Sequence, residues 1–254
     1  MHTQRLPFRY HAQRAPVPDL TSALRERMSA LYLSCYDGTS EALFQRDLAE
    51  KDEAILLWAG SELAGFTTLK TFDWTWRDQA LRIVYSGDTL VTPAHWGQPT
   101  LALAWIECVA LWQRDPLAPP LYWFLLVKGH RTYKYLSVFA QAFHPHWSDG
   151  SAQHDDWRAL ANALAEHRFG AQYDPAAGVV RFATPQGHLT PALAEATPAE
   201  RGKEATRYFL ARNPGYRRGD ELVCLCPLSV DNMKPFAARV ARRVLATGRT
   251  SHLS

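Results

Sequence analysis

Residues 81–112 read LRIVYSGDTLVTPAHWGQPTLALAWIECVALW. The apolar residues of the first eleven positions fit an extended strand, and those from Leu101 to Trp112 fit an apolar helix. A tight turn joins them: His95-Trp96-Gly97-Gln98-Pro99-Thr100. The N–H groups at the start of a helix are unpaired, and the helix dipole there favours anions. A strand that runs through such a turn into a helix therefore predicts a site for a phosphorylated cofactor.

The segments on either side extend this pattern. Downstream, a buried strand from Leu121 to Val127 precedes a helix from Arg131 to Phe143. Upstream, the spacing of apolar residues predicts two helices and then a meander of three strands. These predicted elements are the helices Asp19 or Thr21 to about Cys35 and Ser40 to Ala49, and the strands Ala54–Ala59, Leu63–Phe72 and Leu81–Val91. This order predicts an α/β (α+β) fold whose mixed sheet is antiparallel first and locally parallel later.

The second half of the chain carries weaker signals. They predict helices at Asp155–Arg168, Ala199–Ala211 and Asp231–Ala246, and strands at Gly178–Ala183 and Glu221–Leu228. We predict one domain over residues 19–254, with a core at 19–147 and a C-terminal part at 148–254 that completes the sheet. Residues 1–18 are polar and contain proline, which predicts a flexible lead-in. The last helix is basic and amphipathic; it fits a docked surface helix or, alternatively, a surface for an anionic partner or a membrane.

Composition limits the classes of partner. The chain is 47% hydrophobic and 21% charged, as in ordinary globular proteins. Its formal charge of +3 is too small to indicate nucleic acid as the main partner. We find no apolar run of membrane-spanning length and no apolar signal core, so we expect a cytoplasmic protein without a transmembrane segment. The four cysteines have no spacing typical of a zinc site, and no metal is predicted.

The order of the predicted elements resembles the GNAT acyltransferase superfamily, the N-acetyltransferase fold. Asp52–Leu69 looks like the first hairpin of that family, and Leu90–Trp112 looks like its cofactor-binding strand, loop and helix. Leu121–Phe143 looks like its next strand and helix. The resemblance covers roughly residues 19–143 and rests on topology. It implies a GNAT-like sheet, mostly antiparallel and flanked by helices, that carries acyl transfer from a pantetheine thioester to an amine.

The loop of this chain departs from the family pattern. In the family, backbone N–H groups of the loop bind the pyrophosphate of coenzyme A. Gly97 matches a family glycine, but Pro99 has no N–H to donate and Leu101 is bulky where the family has a small residue. Two interpretations stay open: the donor presents its pantetheine arm on an acyl carrier protein, or acyl transfer has been lost. Genuine coenzyme A enzymes also tolerate a weakened loop.

The resemblance also implies where the donor lies. The pantetheine arm would lie between the strand end Thr89-Leu90-Val91 and the strand Leu121–Val127, with a backbone N–H of the first strand on the thioester carbonyl. The candidate donor-binding residues are Thr89, Leu90, Val91, Trp96, Gly97, Gln98, Thr100, Lys128, His130 and Arg131. The last three could hold a carboxylate or phosphate at a helix start, or form a solvated turn.

Asp88 is the favoured general base. Gly87 marks a possible bulge, which would splay the strand and expose the carboxylate of Asp88. The alternative is an aspartate that faces solvent or caps a turn. His95 is a further candidate base, although a loop histidine is more often incidental. Glu107 is expected on the solvent face of its helix.

Tyr133 is the favoured general acid, with Tyr135 as the second choice, because the family places its tyrosine early in this helix. The alternative is that both rings pack on the sheet. The predicted function is an N-acyltransferase that moves an acyl group from acyl-CoA or an acyl carrier protein to a small-molecule or peptide amine. Its aromatic side chains would allow an acyl group longer than acetyl: Trp96, Trp105, Trp123, Phe124 and Phe139.

Two other functions compete with this prediction. A non-catalytic GNAT-like binding module predicts that Asp88 and Tyr133 do not line a common cleft. An interaction protein that works through its basic C-terminal helix predicts no groove between the strands that end at Val91 and Val127.

Overall fold

The fold is a large sheet covered by helices on both faces. The structure, a computed structural model, describes residues 9–148 and 151–254. Its strands are β1 (Tyr10–Pro16), β2 (Tyr36–Asp37), β3 (Glu53–Ala59), β4 (Glu62–Trp76), β5 (Gln79–Val91), β6 (Leu121–Val127), β7 (Tyr173–Asp174), β8 (Val179–Val180), β9 (His188–Leu189) and β10 (Glu221–Pro227). Its helices are α1 (Ser22–Cys35), α2 (Glu41–Ala49), α3 (Thr100–Trp112), α4 (His130–Phe139), α5 (Ala152–Phe169), α6 (Pro191–Ala194), α7 (Pro198–Arg201), α8 (Glu204–Arg212) and α9 (Pro235–Thr247).

The sheet is mixed and mostly antiparallel, as predicted. Its strand order is β1-β3-β4-β5-β6-β10-β8-β7. Within the described part of the chain, β5 and β6 are its parallel pair, and the other neighbours run antiparallel. A parallel pair needs a crossover connection, and α3 supplies it. The predicted fold class is therefore confirmed.

The helices divide between the two faces of the sheet. Buried residues of α1 and α2 form one apolar cluster with β3 and β4, including Phe44 and Phe66. Buried residues of α5 form a second cluster with β5 and β10. The opposite face carries α3, α4 and α9, whose core includes Ile106, Leu136 and Val240.

Helix starts follow the predicted capping residues where a hydroxyl is present. The side chain of Thr21 accepts a hydrogen bond from the backbone of Leu24 at the start of α1. Ser40 does the same for Leu43 at the start of α2. Each cap satisfies an N–H group that the helix itself leaves unpaired.

Part of the predicted lead-in is a strand. Tyr10–Pro16 pairs antiparallel with β3 along the edge of the sheet, where Ala12 is fully buried. The predicted flexible segment is corrected for these residues, because the open edge of β3 supplies backbone partners that a polar sequence does not reveal. Residues 1–8 lie outside the described part of the chain, and the assignment of residues 19–254 to one domain stays a prediction.

The C-terminal part adds strands next to β6. Leu222 of β10 lies opposite Val127 of β6, and β8 and β7 follow. The helix predicted at 199–211 is two helices, since Gly202 ends α7 and α8 starts at Glu204. The helix predicted from Asp231 starts at Pro235, after a short turn that Ser229 caps.

Candidate active site

Strands β5 and β6 lie side by side over only part of their length. Their parallel pairing ends at Ser86 and Leu125. On its other edge β5 stays paired with β4, but the register shifts between Ser86 and Thr89, so that Gly87 and Asp88 form a bulge. A bulge bends its strand and increases the local twist. β5 therefore leaves β6 at the predicted bulge, and a wedge opens between the two strands.

Backbone N–H groups of β5 face this wedge. The N–H of Thr92 donates to the carbonyl of Ala64 in β4, at 3.0 Å. Successive residues of a strand direct their N–H groups to opposite sides, so the N–H of Leu90 also faces β4. Those of Thr89 and Val91 face the wedge. They occupy the place where a thioester carbonyl would need a donor.

Three cavities meet in the wedge. The α3 cavity, about 610 Å³, lies on the face covered by α3, α4 and α9. The α2 cavity, about 360 Å³, lies on the opposite face, between α1, α2 and α5. The apolar pocket, about 90 Å³, lies between α3 and α4 beneath the α3 cavity. Thr89 and Thr132 line all three, so two ligands entering from opposite faces would meet there.

The α2 cavity is lined by charged side chains. Three carboxylates near it each pair with a cation: Asp47 with Lys51 at 2.7 Å, Glu221 with Lys128 at 3.0 Å, and Glu50 with Arg168 at 3.1 Å. Asp88 also lines this cavity, and it forms no hydrogen bond or ion pair within residues 9–148 and 151–254. It is thus the carboxylate of the cavity that is left to bind a ligand.

The surroundings of Asp88 keep its carboxyl group near half-ionised at neutral pH. Burial raises its pKa, the carboxylate of Asp47 raises it further, and Lys128 and Lys51 oppose the rise; the pKa is about 7. A carboxylate with this pKa can accept a proton and release it again under ordinary conditions. Asp88 therefore remains the candidate general base.

Position 87 needs a glycine, because the side chains of Lys51 and Thr68 lie close to its backbone in the α2 cavity. A Cβ atom at this position would lie 2.5 Å from Cε of Lys51 and 2.5 Å from Oγ1 of Thr68. The ammonium group of Lys51 is fully buried and also bonds the backbone carbonyl of Asp47, at 3.0 Å. The bulge and the buried lysine thus fit against each other only because residue 87 has no side chain.

The turn before α3 closes on itself. Trp96, Gly97 and Gln98 line the α3 cavity, and Gly97 has a φ of +86°, which favours glycine. The indole N–H of Trp96 donates to the carbonyl of Val91 at 2.7 Å. The side chain of Gln98 accepts the N–H of Thr100 at 2.7 Å.

Thr100 does not line the α3 cavity, and its assignment as a donor-binding residue stays a prediction. Because Gln98 covers the N–H of Thr100 and Pro99 has none, the start of α3 has lost two of the donors that a phosphate would use. The predicted weakness of this loop as a pyrophosphate site therefore has a structural basis.

The basic cluster after β6 is neutralised by the protein itself. Lys128 pairs with Glu221 in the α2 cavity. Arg131 forms two hydrogen bonds of 3.1 Å with Glu200, and Nε2 of His130 lies 3.4 Å from the same carboxylate. These carboxylates come from 69 to 93 positions later in the chain, so the sequence pattern did not reveal them. The donor-binding role of Lys128, His130 and Arg131 stays a prediction, and their side chains lie against internal carboxylates.

The structure separates the two candidate acids. Tyr133 is fully buried, its hydroxyl donates to the carbonyl of Pro145 at 2.7 Å, and it lines none of the three cavities. Two residues correspond to about 200° around a helix, so Tyr135 faces the other way. Tyr135 lines both the α3 cavity and the apolar pocket. The assignment of Tyr133 as the acid is thereby corrected, and Tyr135 remains a candidate.

Tyr135 carries its proton at neutral pH. Burial raises the pKa of its hydroxyl, so the group stays protonated. His95, the further candidate base, is buried at the edge of the α3 cavity, away from Asp88. Its Nδ1 lies 3.1 Å from the hydroxyl of Tyr10, and its Nε2 lies 3.7 Å from Glu62, so it joins β1 to β4.

The arrangement of elements matches what the family resemblance implied. Two helices precede a meander, the crossover helix α3 follows β5, and the parallel strands part before their ends. The fold is GNAT-like. No protein-family model matches the chain. No curated protein matches it either.

Several solved structures are similar to this chain at low identity. A probable N-acyltransferase from Enterococcus faecalis V583 shares 11% identity over 53% of this chain, with a TM-score of 0.40. The match spans 33% of that protein's length. NAA60 of Arabidopsis thaliana, in complex with a bisubstrate analogue, shares 17% identity over 52% of this chain and 86% of its own, with a TM-score of 0.36. An acyl-CoA N-acyltransferase from Pseudomonas aeruginosa shares 17% identity over 55% of this chain and 94% of its own, with a TM-score of 0.35. Likeness this distant says nothing about the activity of the chain.

Glu107 does not lie on the solvent face of α3, where the sequence predicts it. It is fully buried at the inner face of α3 and accepts hydrogen bonds from the backbone N–H groups of Ser251, His252 and Leu253, at 2.9 to 3.1 Å. Arg243 of α9 adds a charged hydrogen bond of 2.6 Å. The expected solvent face is corrected, because residues 251–253 cover the carboxylate.

Several residues of the wedge carried no signal in the sequence. Lys51 follows a helix end, Arg168 ends a long surface helix, and Thr132 lies in a polar helix start. Each is brought to the wedge by pairing or crossing of elements that are distant in sequence. In the described residues, no three His, Cys, Asp or Glu side chains converge as metal ligands would. None of the helices described has both the length and the apolar character to cross a bilayer.

Proposed function

We propose that the protein is an N-acyltransferase that moves an acyl group from a pantetheine thioester to an amine. The observation that carries this proposal is the parting of β5 from β6 after Ser86 and Leu125, with a cavity on each face of the gap. A thioester that enters through the α3 cavity reaches the same point as an amine that enters through the α2 cavity.

The groups around the gap match the steps of aminolysis. Asp88 takes a proton from the ammonium form of the acceptor, and the free amine attacks the thioester carbonyl. The wedge-facing N–H groups of Thr89 and Val91 stabilise the charge that develops on the carbonyl oxygen. The C–N bond forms, the nitrogen releases its second proton to solvent, the C–S bond breaks, and the thiolate takes a proton from Tyr135. The products are an amide and a free thiol. Asp88 then releases its proton to solvent, and Tyr135 regains a proton from solvent.

The apolar pocket supports an acyl group longer than acetyl. It has a volume of about 90 Å³ and is lined by Leu101, Trp105, Leu125 and Phe139, among others. Since one water needs only about 10–15 Å³ of such space, the pocket has room for several carbon atoms. The rings of Trp105 and Trp123, with centroids 4.4 Å apart, close its inner end.

The mouth of the α3 cavity supports a carrier protein as well as coenzyme A as the source of the thioester. Trp96, Val138 and Phe236 expose large apolar side chains there, beside the exposed ammonium groups of Lys134 and Lys203. Apolar side chains ringed by positive charge suit an acidic protein that delivers a pantetheine arm.

A binding module without catalysis is the second candidate, and the burial of Tyr133 favours it. That position is what the module predicts, since Asp88 and Tyr133 line no common cleft. The role of the acid passes to Tyr135 in our proposal, and the wedge itself remains open. The third candidate is an interaction protein, which predicts no groove between the two strands. The parting of β5 and β6 after Ser86 and Leu125 does not support it.

Thiol release tests the proposal directly. Purified protein is incubated with a mixture of amines and with acyl donors of two to ten carbons, on coenzyme A or on acyl carrier protein. We expect thiol and amide to form in equal amounts, with one of the two carriers preferred. If neither carrier gives thiol above the background rate, the binding module replaces the enzyme.

A change in the apolar pocket tests the acyl length. We expect Trp105→Leu to shift the preferred chain to a longer one, because it removes the ring at the closed end. Trp112→Leu is the matched control, since Trp112 lies two turns further along α3 and lines no cavity. A chain-length profile that Trp105→Leu and Trp112→Leu leave equally unchanged would assign the acyl group to another place.

A further inference from the structure

The pairing of charges around the α2 cavity leaves one cation without a partner. Lys51, Lys128 and Arg168 each pair with a carboxylate. Arg46 also lines the cavity, and it forms no hydrogen bond or ion pair with any residue that the structure describes. Asp88 is likewise without a partner, so the cavity presents one open negative group and one open positive group.

These two groups lie at different depths. Asp88 lies in the bulge where β5 and β6 part, next to the cavities of both faces. Arg46 lies on α2 and is exposed at the outer edge of the cavity. A ligand that pairs with both would turn its positive group toward the wedge and its negative group toward the rim.

Segments from the second half of the chain form one wall of the α2 cavity. Arg168 and Phe169 of α5, together with Gln172, Phe182 and Gln186, line it opposite α2. The guanidinium of Arg168 lies 4.4 Å from the ring of Tyr85 and donates a hydrogen bond to Glu50, the residue after α2, so it ties this wall to the opposite one. An extended peptide would need a groove that is open at both ends, whereas this wall favours a small molecule.

We propose that the acceptor is a small zwitterionic amine, such as an amino acid, with its amine at Asp88 and its acidic group at Arg46. This inference rests on the proposed transferase function and narrows its substrate class. A carboxylate suits Arg46, because a guanidinium donates two parallel hydrogen bonds to it. The aromatic rings of Tyr32, Tyr36 and Phe44 also line the α2 cavity and can contact an apolar side chain.

Paired acceptors test the inference. Each common amino acid is compared, by thiol release, with the amine that lacks its carboxylate. We expect the zwitterion of the best pair to have a kcat/KM at least about tenfold higher, the scale of one charged hydrogen bond.

The variant Arg46→Gln sharpens the test. It is expected to raise the KM of the zwitterion about threefold to tenfold while kcat stays the same, and to leave the decarboxylated amine unaffected. Arg242→Gln, an exposed arginine of α9 outside all three cavities, is the matched control and should change neither constant.

The outcomes separate the inference from the transferase function. Thiol release that is equal for both members of each pair leaves the transferase standing and overturns the zwitterion. If no amine releases thiol, calorimetry with the same amino acids decides. Binding that Arg46→Gln weakens supports the zwitterion site without catalysis, and the lack of any binding overturns it. Efficient transfer to a peptide N-terminus with no preference for free amino acids also overturns it.

Discussion

Glu107 is fully buried and Asp88 is half-buried beside a cavity, and the two carboxylates lie in opposite surroundings. Glu107 accepts hydrogen bonds from three successive backbone N–H groups and pairs with Arg243 and His252. Asp88, nineteen positions earlier in the chain, has no such partner among the described residues. One carboxylate is fully satisfied by the fold, and the other is held open at a cavity.

The pKa values follow from this difference. Burial alone would raise the pKa of Glu107, but the hydrogen bonds from His252 and the backbone of residues 251–253 outweigh it and lower the pKa. At Asp88 burial is not compensated, and the pKa rises. A satisfied buried carboxylate stabilises the fold, whereas an unsatisfied one costs stability and is typical of a functional site. The two residues therefore separate what supports the fold from what serves the chemistry.

The largest expected effect is that of Asp88→Asn on the rate. An amide cannot take a proton from the amine, so we expect thiol release to fall about 10²- to 10⁴-fold. The same change should raise the melting temperature at pH 8, because it removes a carboxylate whose ionisation opposes folding. Asp73→Asn, an exposed aspartate of β4, is the control for both measurements. If the variant keeps its rate of thiol release, or has a lower melting temperature at pH 8, then Asp88 stabilises the fold as Glu107 does and is not the base.

Glu107→Gln should have the opposite profile. It removes the negative charge that Arg243 and three backbone donors share, and we expect the free energy of unfolding to fall by about 3 kcal/mol. Urea denaturation measures this loss. The rate of the folded variant at low temperature should equal that of the original protein, since Glu107 lines none of the three cavities. Glu204→Gln, at an exposed position of α8, should leave both stability and rate unchanged. A fall in rate without a fall in stability would contradict the contrast.

The two carboxylates should also give opposite pH dependence. The pKa of Glu107 is lowered on folding, so its contribution to stability is full above its ordinary value of 4.5 and is lost as the pH falls through the folded pKa. The pKa of Asp88 is raised from 3.8 to about 7, so its cost grows between these values as the pH rises. Both effects are measured by the melting temperatures of the two variants and of the original protein from pH 3 to 8. The difference for Glu107→Gln should shrink toward acid, and that for Asp88→Asn should grow toward pH 8.

The sequence could predict those features of the site that depend on nearby residues or on the order of the elements. The bulge at Gly87 was predictable, because glycine inside an alternating strand has a local meaning. The parting of the strands was implied by the resemblance to the GNAT superfamily, which itself rests on the order of the elements. Both rest on neighbours in sequence or on topology, and both are confirmed by the pairing of β4, β5 and β6.

The partners of charged residues were not predictable in this way. Glu107 looked exposed, because residues 251–253 lie about 145 positions away and no local pattern shows that they fold back onto α3. Arg131 looked free for the same reason, since Glu200 lies outside its neighbourhood in sequence. Tyr133 and Tyr135 differ only in helical phase, and an uncertainty of two residues in the helix start exchanges their roles.

The smallest expected effect separates those two tyrosines. Tyr133→Phe removes one buried hydrogen bond, to the carbonyl of Pro145, and we expect a loss of about 1 kcal/mol in the free energy of unfolding. Its rate of thiol release should not change, because the ring lies outside the cavities. Tyr135→Phe should behave in the opposite way: its stability is kept, and its rate falls most with donors whose thiol is the poorer leaving group. Urea denaturation and thiol release on the two variants supply both readouts with the same chemical change two positions apart. If Tyr133→Phe lowers the rate of thiol release more than Tyr135→Phe does, the hydroxyl that serves the reaction lies in the core rather than in the wedge. In α4, the groups that stabilise the fold and the groups that react would then not be separate.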